Sequence, residues 1–260
     1  MPAPAGRPAA GLAVRGLRHT FGGPRPTHVL DGIDLTVPAG WFVSIVGPSG
    51  CGKSTLLRVL AGLLEPTAGE AEVDGRSALG VPGLAAYMPQ KDLLLPWRRA
   101  MGNAVLGTEI DGVPAASAEA RAAPLFDQFG LAGFEQAWPA ELSGGMRQRL
   151  ALLRTFLLDR SVLLLDEPFG ALDAITRREM YAWLQDVWLA DHRTVLFVTH
   201  DVEEALYLSD AVHVMSARPG HLLHTVDVDL PRPRHLDVVT DAGFVKRKAE
   251  LLLALAGRPH

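Results

Sequence analysis

Residues 47–55 read Gly-Pro-Ser-Gly-Cys-Gly-Lys-Ser-Thr, and this glycine-rich segment constrains the fold more than any other part of the chain. An apolar run at 41–46 precedes it and a helical pattern follows, as expected for a strand, a phosphate-binding loop and a helix. Gly50 and Gly52 allow turns that a Cβ would oppose, so successive N–H groups can point at an anion beside the positive end of the helix dipole. The segment predicts a polyphosphate site.

The residues that close this loop supply the charge and the metal ligand that a polyphosphate needs. Lys53 can place an ammonium group on the outer phosphates, and the Ser54 hydroxyl is suited to ligate magnesium. A plain glycine-rich turn is the alternative interpretation. A chance match to the whole pattern is expected only about once in a hundred sequences of this length.

The overall composition limits partners and compartment. The 260 residues carry a formal net charge of -4 with dispersed arginines, so we expect no nucleic-acid binding. Cys51 is the only cysteine, which excludes an intrachain disulfide and a cysteine-rich zinc site. Its thiol could be reactive near a helix start, or it could simply fill a loop position. No apolar run approaches the roughly 20 residues that cross a bilayer, so we expect a soluble, cytoplasmic chain.

The order of the predicted elements indicates an α/β protein with additions. Residues 12–21 and 28–37 look like strands around a Gly/Pro turn and predict an antiparallel β start, after a frayed tail over 1–11. Strands and helices then alternate as in a parallel sheet, except over 97–140, where alanine-rich spacing predicts a helical insert. An amphipathic helix is expected over 235–256.

Two adjacent carboxylates end a leucine-rich strand at residues 161–166. Ligands of open α/β sheets bind at the carboxyl ends of strands. Asp166 is suited to the magnesium shell, while Glu167, beyond the metal, can orient and deprotonate a water that attacks the γ-phosphate in line. Such a pair is usually just a solvated turn, but the phosphate loop upstream favours the catalytic role.

A second phosphate-binding pattern lies at residues 142–149, Leu-Ser-Gly-Gly-Met-Arg-Gln-Arg. Apolar positions three or four apart predict a helix capped by Ser143, and the two glycines expose backbone donors at the positive end of its dipole. Two such helix starts in one chain make sense if the second serves the nucleotide of a partner copy, so that two chains enclose two ATP molecules.

Six segments together resemble the ATP-binding cassette (ABC) ATPases. In the family's order and spacing, they are the phosphate loop, Gln90, residues 142–149, the strand and acidic pair at 162–168, Gly-Ala-Leu-Asp at 170–173 and Thr-His-Asp at 199–201. The resemblance implies an α/β fold, a P-loop NTPase with an antiparallel β subdomain and a helical subdomain. It places the ABC domain at 12–232 with a helical insert at about 91–160, and a C-terminal amphipathic helix and tail at 233–260.

The resemblance also implies ATPase activity, with ATP and Mg²⁺ as ligands. Phe21 would stack on adenine, Gln90 would contact the magnesium site, and His200 would hydrogen-bond the γ-phosphate. Taken alone, the three would more often be a core aromatic, a surface glutamine and an ordinary strand-end histidine.

Each matching residue then has an implied role. The implied catalytic residues are Glu167, His200 and Gln90. The implied magnesium ligands are Ser54, Gln90 and Asp166. The residues implied to contact ATP within the chain are Phe21, Gly47, Ser49, Gly50, Cys51, Gly52, Lys53, Ser54 and Thr55. Ser143, Gly145 and Asp173 would act across the dimer.

An apolar patch ending in Trp97 directly follows Gln90. Exposed patches of this kind usually mark contacts, although some of its leucines could belong to the core of the insert. In ABC importers this region receives a short helix of the membrane subunit. The resemblance therefore implies a permease partner at residues 90–97, a separate substrate-binding protein, and a peripheral position on the cytoplasmic face of the cell membrane.

Three short strings narrow the resemblance further. Leu-Leu-Pro-Trp at 94–97, Arg-Pro-Gly at 218–220 and Asp-Leu-Pro-Arg-Pro-Arg at 229–234 resemble the nitrate/sulfonate/taurine importers, a subfamily that includes carriers of aminopyrimidine thiamine precursors. Residues 88–97, Met-Pro-Gln-Lys-Asp-Leu-Leu-Leu-Pro-Trp, are slightly more similar to the pyrimidine carriers. The implied function is an ATP-hydrolysing subunit that couples dimer closure to uptake of such a solute. The alternative is a soluble ABC ATPase that moves no solute, and the lack of a coiled coil or a second cassette argues against it.

Overall fold

The structure is a computed structural model that describes residues 10–257, with side chains from residue 11 onward. Residues 1–9 of the tail predicted over 1–11, and the last residues of the C-terminal segment, 258–260, lie outside the described residues. Residues 10 and 11 are part of a β-strand, so the tail prediction is wrong for these two residues. Within the described chain, two β-sheets and eight α-helices confirm an α/β fold with an antiparallel β subdomain and a helical subdomain.

Strands and helices alternate along most of the described chain. The strands, in chain order, are β1 (Ala10–Phe21), β2 (Thr27–Pro38), β3 (Phe42–Val46), β4 (Ala68–Val73), β5 (Arg76–Ser77), β6 (Ala86–Met88), β7 (Val162–Asp166), β8 (Thr194–Thr199), β9 (Ala211–Met215) and β10 (Leu222–Asp227). The helices are α1 (Lys53–Leu60), α2 (Ala100–Ala104), α3 (Leu106–Ile110), α4 (Ala115–Gln128), α5 (Gly144–Phe156), α6 (Ala174–Asp191), α7 (Val202–Leu208) and α8 (Ala242–Leu255).

The first sheet is antiparallel, with the strand order β2-β1-β4-β5. Val14 of β1 lies opposite Leu35 of β2 on one side and Ala71 of β4 on the other. All three side chains are buried, because residues directly opposite each other in neighbouring strands face the same side of the sheet. The antiparallel start predicted for residues 12–37 is confirmed.

The second sheet has the order β10-β9-β3-β8-β7-β6, and all neighbours except β10 and β9 run parallel. Every residue of β3, β7 and β8 is buried, as expected for central parallel strands covered on both faces. Val46 lies opposite Thr199, and Asp166 lies opposite Val198. The carboxyl ends of these three strands therefore meet at one edge of the sheet.

Neighbouring residues of the central strands pack into two different cores. Phe42 and Leu163 join a cluster with α5, α6 and the helical insert. Val43 and Leu164 join a second cluster with α1 and the antiparallel sheet. This alternation follows from the two-residue period of a strand. The central sheet is held from both faces, which fixes the position from which the loop after β3 starts.

The insert and the C-terminal segment are helical, with one shifted boundary. Helices α2 to α4 lie within 97–140, as predicted. The C-terminal helix α8 begins at Ala242 and not at residue 235, because the Asp241 carboxylate accepts the Gly243 N–H at 2.7 Å and caps the helix there. Residues 236–240 instead form a 3₁₀ turn.

Candidate active site

The glycine-rich loop joins β3 to α1 and adopts the backbone that its sequence predicts. Gly50 has φ of 76° and Gly52 has φ of 117°, both in the left-handed region that favours glycine. A Cβ at Gly52 would lie 2.7 Å from the Leu30 Cδ2, so no larger residue fits there without displacing its neighbours. The loop is thus closely packed on β2 and requires glycine at this position.

Lys53 is folded over the loop that precedes it. Its Nζ donates to the carbonyl oxygens of Gly47 at 2.7 Å and Pro48 at 3.0 Å, and the side chain is buried. The Cys51 side chain is 1% exposed, with its Sγ 3.7 Å from the Lys53 Nζ. This burial favours the interpretation that Cys51 fills a loop position over that of a reactive thiol.

Ser54 and Asp166 meet at the start of α1 although 112 residues separate them in the sequence. The Ser54 hydroxyl donates to the Asp166 Oδ1 at 3.0 Å, and Asp166 is buried. Burial raises the pKa of the Asp166 carboxyl, and Glu167 raises it further, while the Ser54 hydrogen bond and Lys53 lower it. A hydroxyl and a buried carboxylate are hard oxygen donors, and a divalent cation would offset the cost of burying the charge. These residues fit Mg²⁺.

Three polar side chains converge directly beyond Asp166. The Glu167 Oε2 accepts a hydrogen bond from the Gln90 Nε2 at 3.3 Å and lies 3.3 Å from the His200 Nδ1. The three residues follow β6, β7 and β8, which are neighbours in the sheet. Glu167 itself has φ of 48°, and its N–H donates to the Val198 carbonyl at 2.8 Å. The structure therefore brings together the three residues for which the sequence predicted catalytic roles.

A cavity of about 350 Å³ opens at this edge of the sheet. Phe21, which is 37% exposed, forms part of its wall, where an aromatic ring could face a base. The other lining residues are Thr27, Val29, Ser49, Gly50, Gly52, Lys53, Ser54, Thr55, Gln90, Glu167 and Arg218. The sequence assigned no role to Thr27, Val29 or Arg218. The Arg-Pro-Gly string was the one signal that pointed to Arg218.

The predicted dimer residues are not among those that line this cavity. Ser143 caps α5, its Oγ accepting the Met146 N–H at 3.2 Å, and it is exposed. Asp173 caps α6 by accepting the N–H groups of Ile175 at 3.1 Å and Thr176 at 3.0 Å. Hydrogen bonds from Thr176 lower the pKa of the Asp173 carboxyl. Both helix starts leave donors at a surface that a second chain could cover.

The apolar patch after Gln90 is divided between surface and core. Trp97 is 71% exposed and Leu93 is 58% exposed, whereas Leu94 is half-buried and packs against the helical core. Trp97 and Leu93 therefore fit a contact surface, whereas Leu94 fits the core of the helical insert. Its exposed residues lie at the junction of the central sheet and the helical insert.

Residues 30–170 match the family described as ABC transporter, and the chain belongs to that family. It is therefore an ATP-hydrolysing cassette that uses ATP and Mg²⁺. The chain is 49% identical to the aliphatic sulfonates import ATP-binding protein SsuB 1 of Rhodococcus jostii, over 93% of this chain and 92% of that protein. It is 45% identical to the protein of the same name, SsuB, from Mycobacterium sp., over 96% of each chain.

Solved structures show the same fold. The dimeric structure of a bacterial ABC transporter cassette has a TM-score of 0.77 at 26% identity, covering 85% of this chain and 100% of that chain. A dimeric post-hydrolysis state of the same cassette, bound to ADP and phosphate, has a TM-score of 0.76. Within residues 10–257, no helix is both long and apolar enough to span a bilayer.

Proposed function

We propose that this chain is the ATP-hydrolysing subunit of an ABC importer for aliphatic sulfonates. The convergence of Gln90, Glu167 and His200 within 3.3 Å contacts, beside the phosphate loop, carries the catalytic part of the proposal. The sulfonate part is supported by relatives that are 45–49% identical over at least 90% of this chain and carry that name. Among the solutes that the sequence left open, sulfonates are therefore the first choice.

In the proposed mechanism, Glu167 is the general base. Its carboxylate orients a water for in-line attack on the γ-phosphate and accepts the proton of that water. Gln90 and His200, which both contact the Glu167 Oε2, hold the carboxylate in place. His200 also donates to the γ-phosphate. Positioned groups of this kind accelerate hydrolysis because they are already ordered before the reaction.

Ser54 and Asp166 would hold the magnesium ion, with Gln90 beside it. The ion, when bound, neutralises charge on the β- and γ-phosphates. The Lys53 ammonium and the N–H groups of the loop and the start of α1 would contact the same phosphates. Phe21 would pack on the adenine ring from the cavity wall.

A second copy would complete the site. Ser143 and Gly145 lie at the exposed start of α5, outside the cavity of their own chain, and they would contact the phosphates held by the partner. Asp173 would lie at the dimer contact. ATP then binds between two chains, and the chains separate after hydrolysis, when ADP and phosphate leave. This arrangement is supported by the dimeric form of the similar cassette.

The membrane subunit would dock on the patch at residues 90–97. Trp97 and Leu93 are large, exposed and apolar, which is the composition of anchors at protein interfaces. A permease bound there would hold the cassette at the cytoplasmic face of the membrane, and a separate binding protein would deliver the solute.

The test is the ATPase activity of the reconstituted complex. The chain is assembled in proteoliposomes with its permease and binding protein, and phosphate release is measured with an alkanesulfonate, taurine, nitrate or an aminopyrimidine. The proposal predicts stimulation by the alkanesulfonate and a background rate with Glu167→Gln. Stimulation only by one of the other solutes contradicts the sulfonate assignment. Failure to co-purify with any permease favours an ABC ATPase that moves no solute.

A further inference from the structure

The segment after β9, residues 216–221, runs along the outer side of the phosphate loop and is called here the 216–221 strap. The Gly220 N–H donates to the Val29 carbonyl at 2.8 Å, and the Gly220 carbonyl accepts the Asp31 N–H at 3.0 Å, so the strap is joined to β2. A Cβ at Gly220 would lie 2.3 Å from the Cys51 carbonyl oxygen. The strap is therefore in direct backbone contact with the phosphate loop.

Arg218 reaches from this strap to the loop itself. Its Nε and Nη2 both donate to the Gly50 carbonyl oxygen, at 3.0 Å and 2.8 Å. The Arg218 side chain also lines the cavity that contains Lys53 and Glu167. Among the ion pairs of residues 10–257, none joins Arg218 to a carboxylate. Its positive charge is thus left available at the rim of the cavity.

The double hydrogen bond from Arg218 restrains the peptide group between Gly50 and Cys51. A peptide group is planar, so the direction of the Gly50 carbonyl also fixes the direction of the Cys51 N–H. That N–H makes a long bond of 3.3 Å to the Pro48 carbonyl and is weakly held inside the loop. Gly50, with φ of 76°, has no Cβ to restrict its backbone. Arg218 supplies the restraint that glycine lacks.

We propose that Arg218 is a nucleotide-positioning residue, which fixes the Gly50–Cys51 peptide of the phosphate loop and holds a guanidinium charge at the rim of the triphosphate cavity. A loop ordered before binding loses less entropy when ATP enters. A cation at the rim raises the local potential for a polyphosphate anion. The inference rests on the nucleotide site proposed above.

The test compares four proteins as full chains: the wild type, Arg218→Ala, Arg218→Lys, and Arg76→Ala as a control at an exposed arginine of β5. MgATP affinity is measured by titration with a fluorescent analogue, and KM, kcat and the thermal midpoint are recorded. A hydrogen bond with a charged donor contributes enough for about a tenfold loss of MgATP affinity in Arg218→Ala. We expect KM to rise by a similar factor, kcat to change by less than about twofold, and Arg76→Ala to match the wild type.

Arg218→Lys separates charge from geometry. Lysine keeps the cation but lacks the fork that donates twice to one carbonyl, so it should restore part of the affinity at low salt and lose that advantage at high salt. Unchanged affinity in Arg218→Ala overturns the inference. A lower thermal midpoint without nucleotide, with the same loss of affinity in the alanine and lysine variants, assigns Arg218 a merely structural role and also overturns it. A wild-type chain that binds no MgATP refutes the nucleotide site itself.

Discussion

Glu167 occupies a backbone conformation that few residues other than glycine adopt, with φ of 48°. Such a conformation costs on the order of 1 kcal/mol or more and persists where the surroundings impose it. Here the hydrogen bond from the Glu167 N–H to the Val198 carbonyl, at 2.8 Å, holds it in place. In this conformation the carboxylate contacts Gln90 and His200, as the proposed general base requires.

Replacing Glu167 by glutamine should stop hydrolysis and spare nucleotide binding. The amide keeps the shape of the side chain but cannot accept the proton of the attacking water, so we expect phosphate release to fall by about 10²-fold or more. MgATP affinity, measured by titration, should stay within about twofold. Glu119→Gln, at an exposed carboxylate of α4, is the matched control and should hydrolyse ATP at the wild-type rate. Hydrolysis at an undiminished rate in Glu167→Gln would falsify the assignment.

Glu204, four residues after His200, is a buried carboxyl group that the sequence analysis did not identify. It accepts a hydrogen bond from the Thr199 hydroxyl, and its Oε1 is buried without a partner among the described residues. Burial raises the pKa of Glu204 from 4.5 to about 8; the Thr199 hydrogen bond and Arg177 lower it, and Asp201 and Glu167 raise it. Between about pH 4.5 and pH 8, the folded chain therefore keeps a proton on the Glu204 carboxyl group that the unfolded chain has released.

This raised pKa makes stability depend on pH. Below about pH 4.5 both states are protonated, and the Glu204 contribution to stability is fully present; it is lost as the pH rises towards about 8. Glu204→Gln stays neutral, so we expect its unfolding free energy to exceed that of the wild type by about 1–3 kcal/mol at pH 9, and by much less at pH 5. Urea unfolding at both pH values measures this. An equal difference between the two proteins at both pH values would contradict the raised pKa of Glu204.

At the scale of secondary structure, two helices begin with a side chain that accepts backbone N–H groups, but the two helix starts have different predicted roles. Ser143 caps α5 and Asp241 caps α8, each by accepting backbone N–H groups. Only the start of α5 belongs to a motif expected to contact the partner's nucleotide. Removing each cap in turn therefore separates the effect of a lost cap on folding stability from the effect of Ser143 on ATP hydrolysis.

Removing either cap should cost about 1 kcal/mol of stability. Ser143→Ala should in addition lower ATPase activity by about tenfold or more, because the partner's phosphates lose a hydroxyl donor. Asp241→Ala should hydrolyse ATP at the wild-type rate. Urea unfolding and phosphate release, measured on both variants, test this. Equal activity in the two variants would remove Ser143 from the proposed site.

The strands and helices were predictable from sequence where their signals are local. The glycines of the phosphate loop and the leucine-rich run ending at Asp166 predicted the correct elements, because backbone freedom and a short apolar run report local structure. The start of α8 is predicted too early, at residue 235, because the apolar periodicity continues through the 3₁₀ turn at 236–240. The Asp241 side chain caps the helix and sets its start at Ala242.

The parts of the site that depend on tertiary contacts could not be predicted in this way. The pairing of Ser54 with Asp166 was expected from the motifs, but the positive φ of Glu167 depends on its neighbour β8. The contact between Arg218 and Gly50 joins residues 168 positions apart. No local sequence pattern predicts a contact between residues so far apart in the chain. The Arg-Pro-Gly string therefore indicated a subfamily but no role for Arg218, and only the fold shows its contact with the phosphate loop.

At the scale of the whole molecule, the chain by itself holds half of each proposed site. The cavity contains the phosphate loop, Gln90 and Glu167, whereas Ser143 and Asp173 are exposed and do not line it. Two copies that face each other would place the start of α5 of each chain over the phosphate loop of the other. ATP would then be part of the interface, so we expect binding of ATP to favour association and loss of the products to favour separation.

The most direct measurement is the mass of Glu167→Gln in solution, determined by sedimentation with and without MgATP. We expect 27.9 kDa monomers without nucleotide and a species of twice that mass with MgATP. Adding Ser143→Ala to the same chain should weaken that association. A variant that binds MgATP and still sediments as a monomer at every concentration would contradict the shared site.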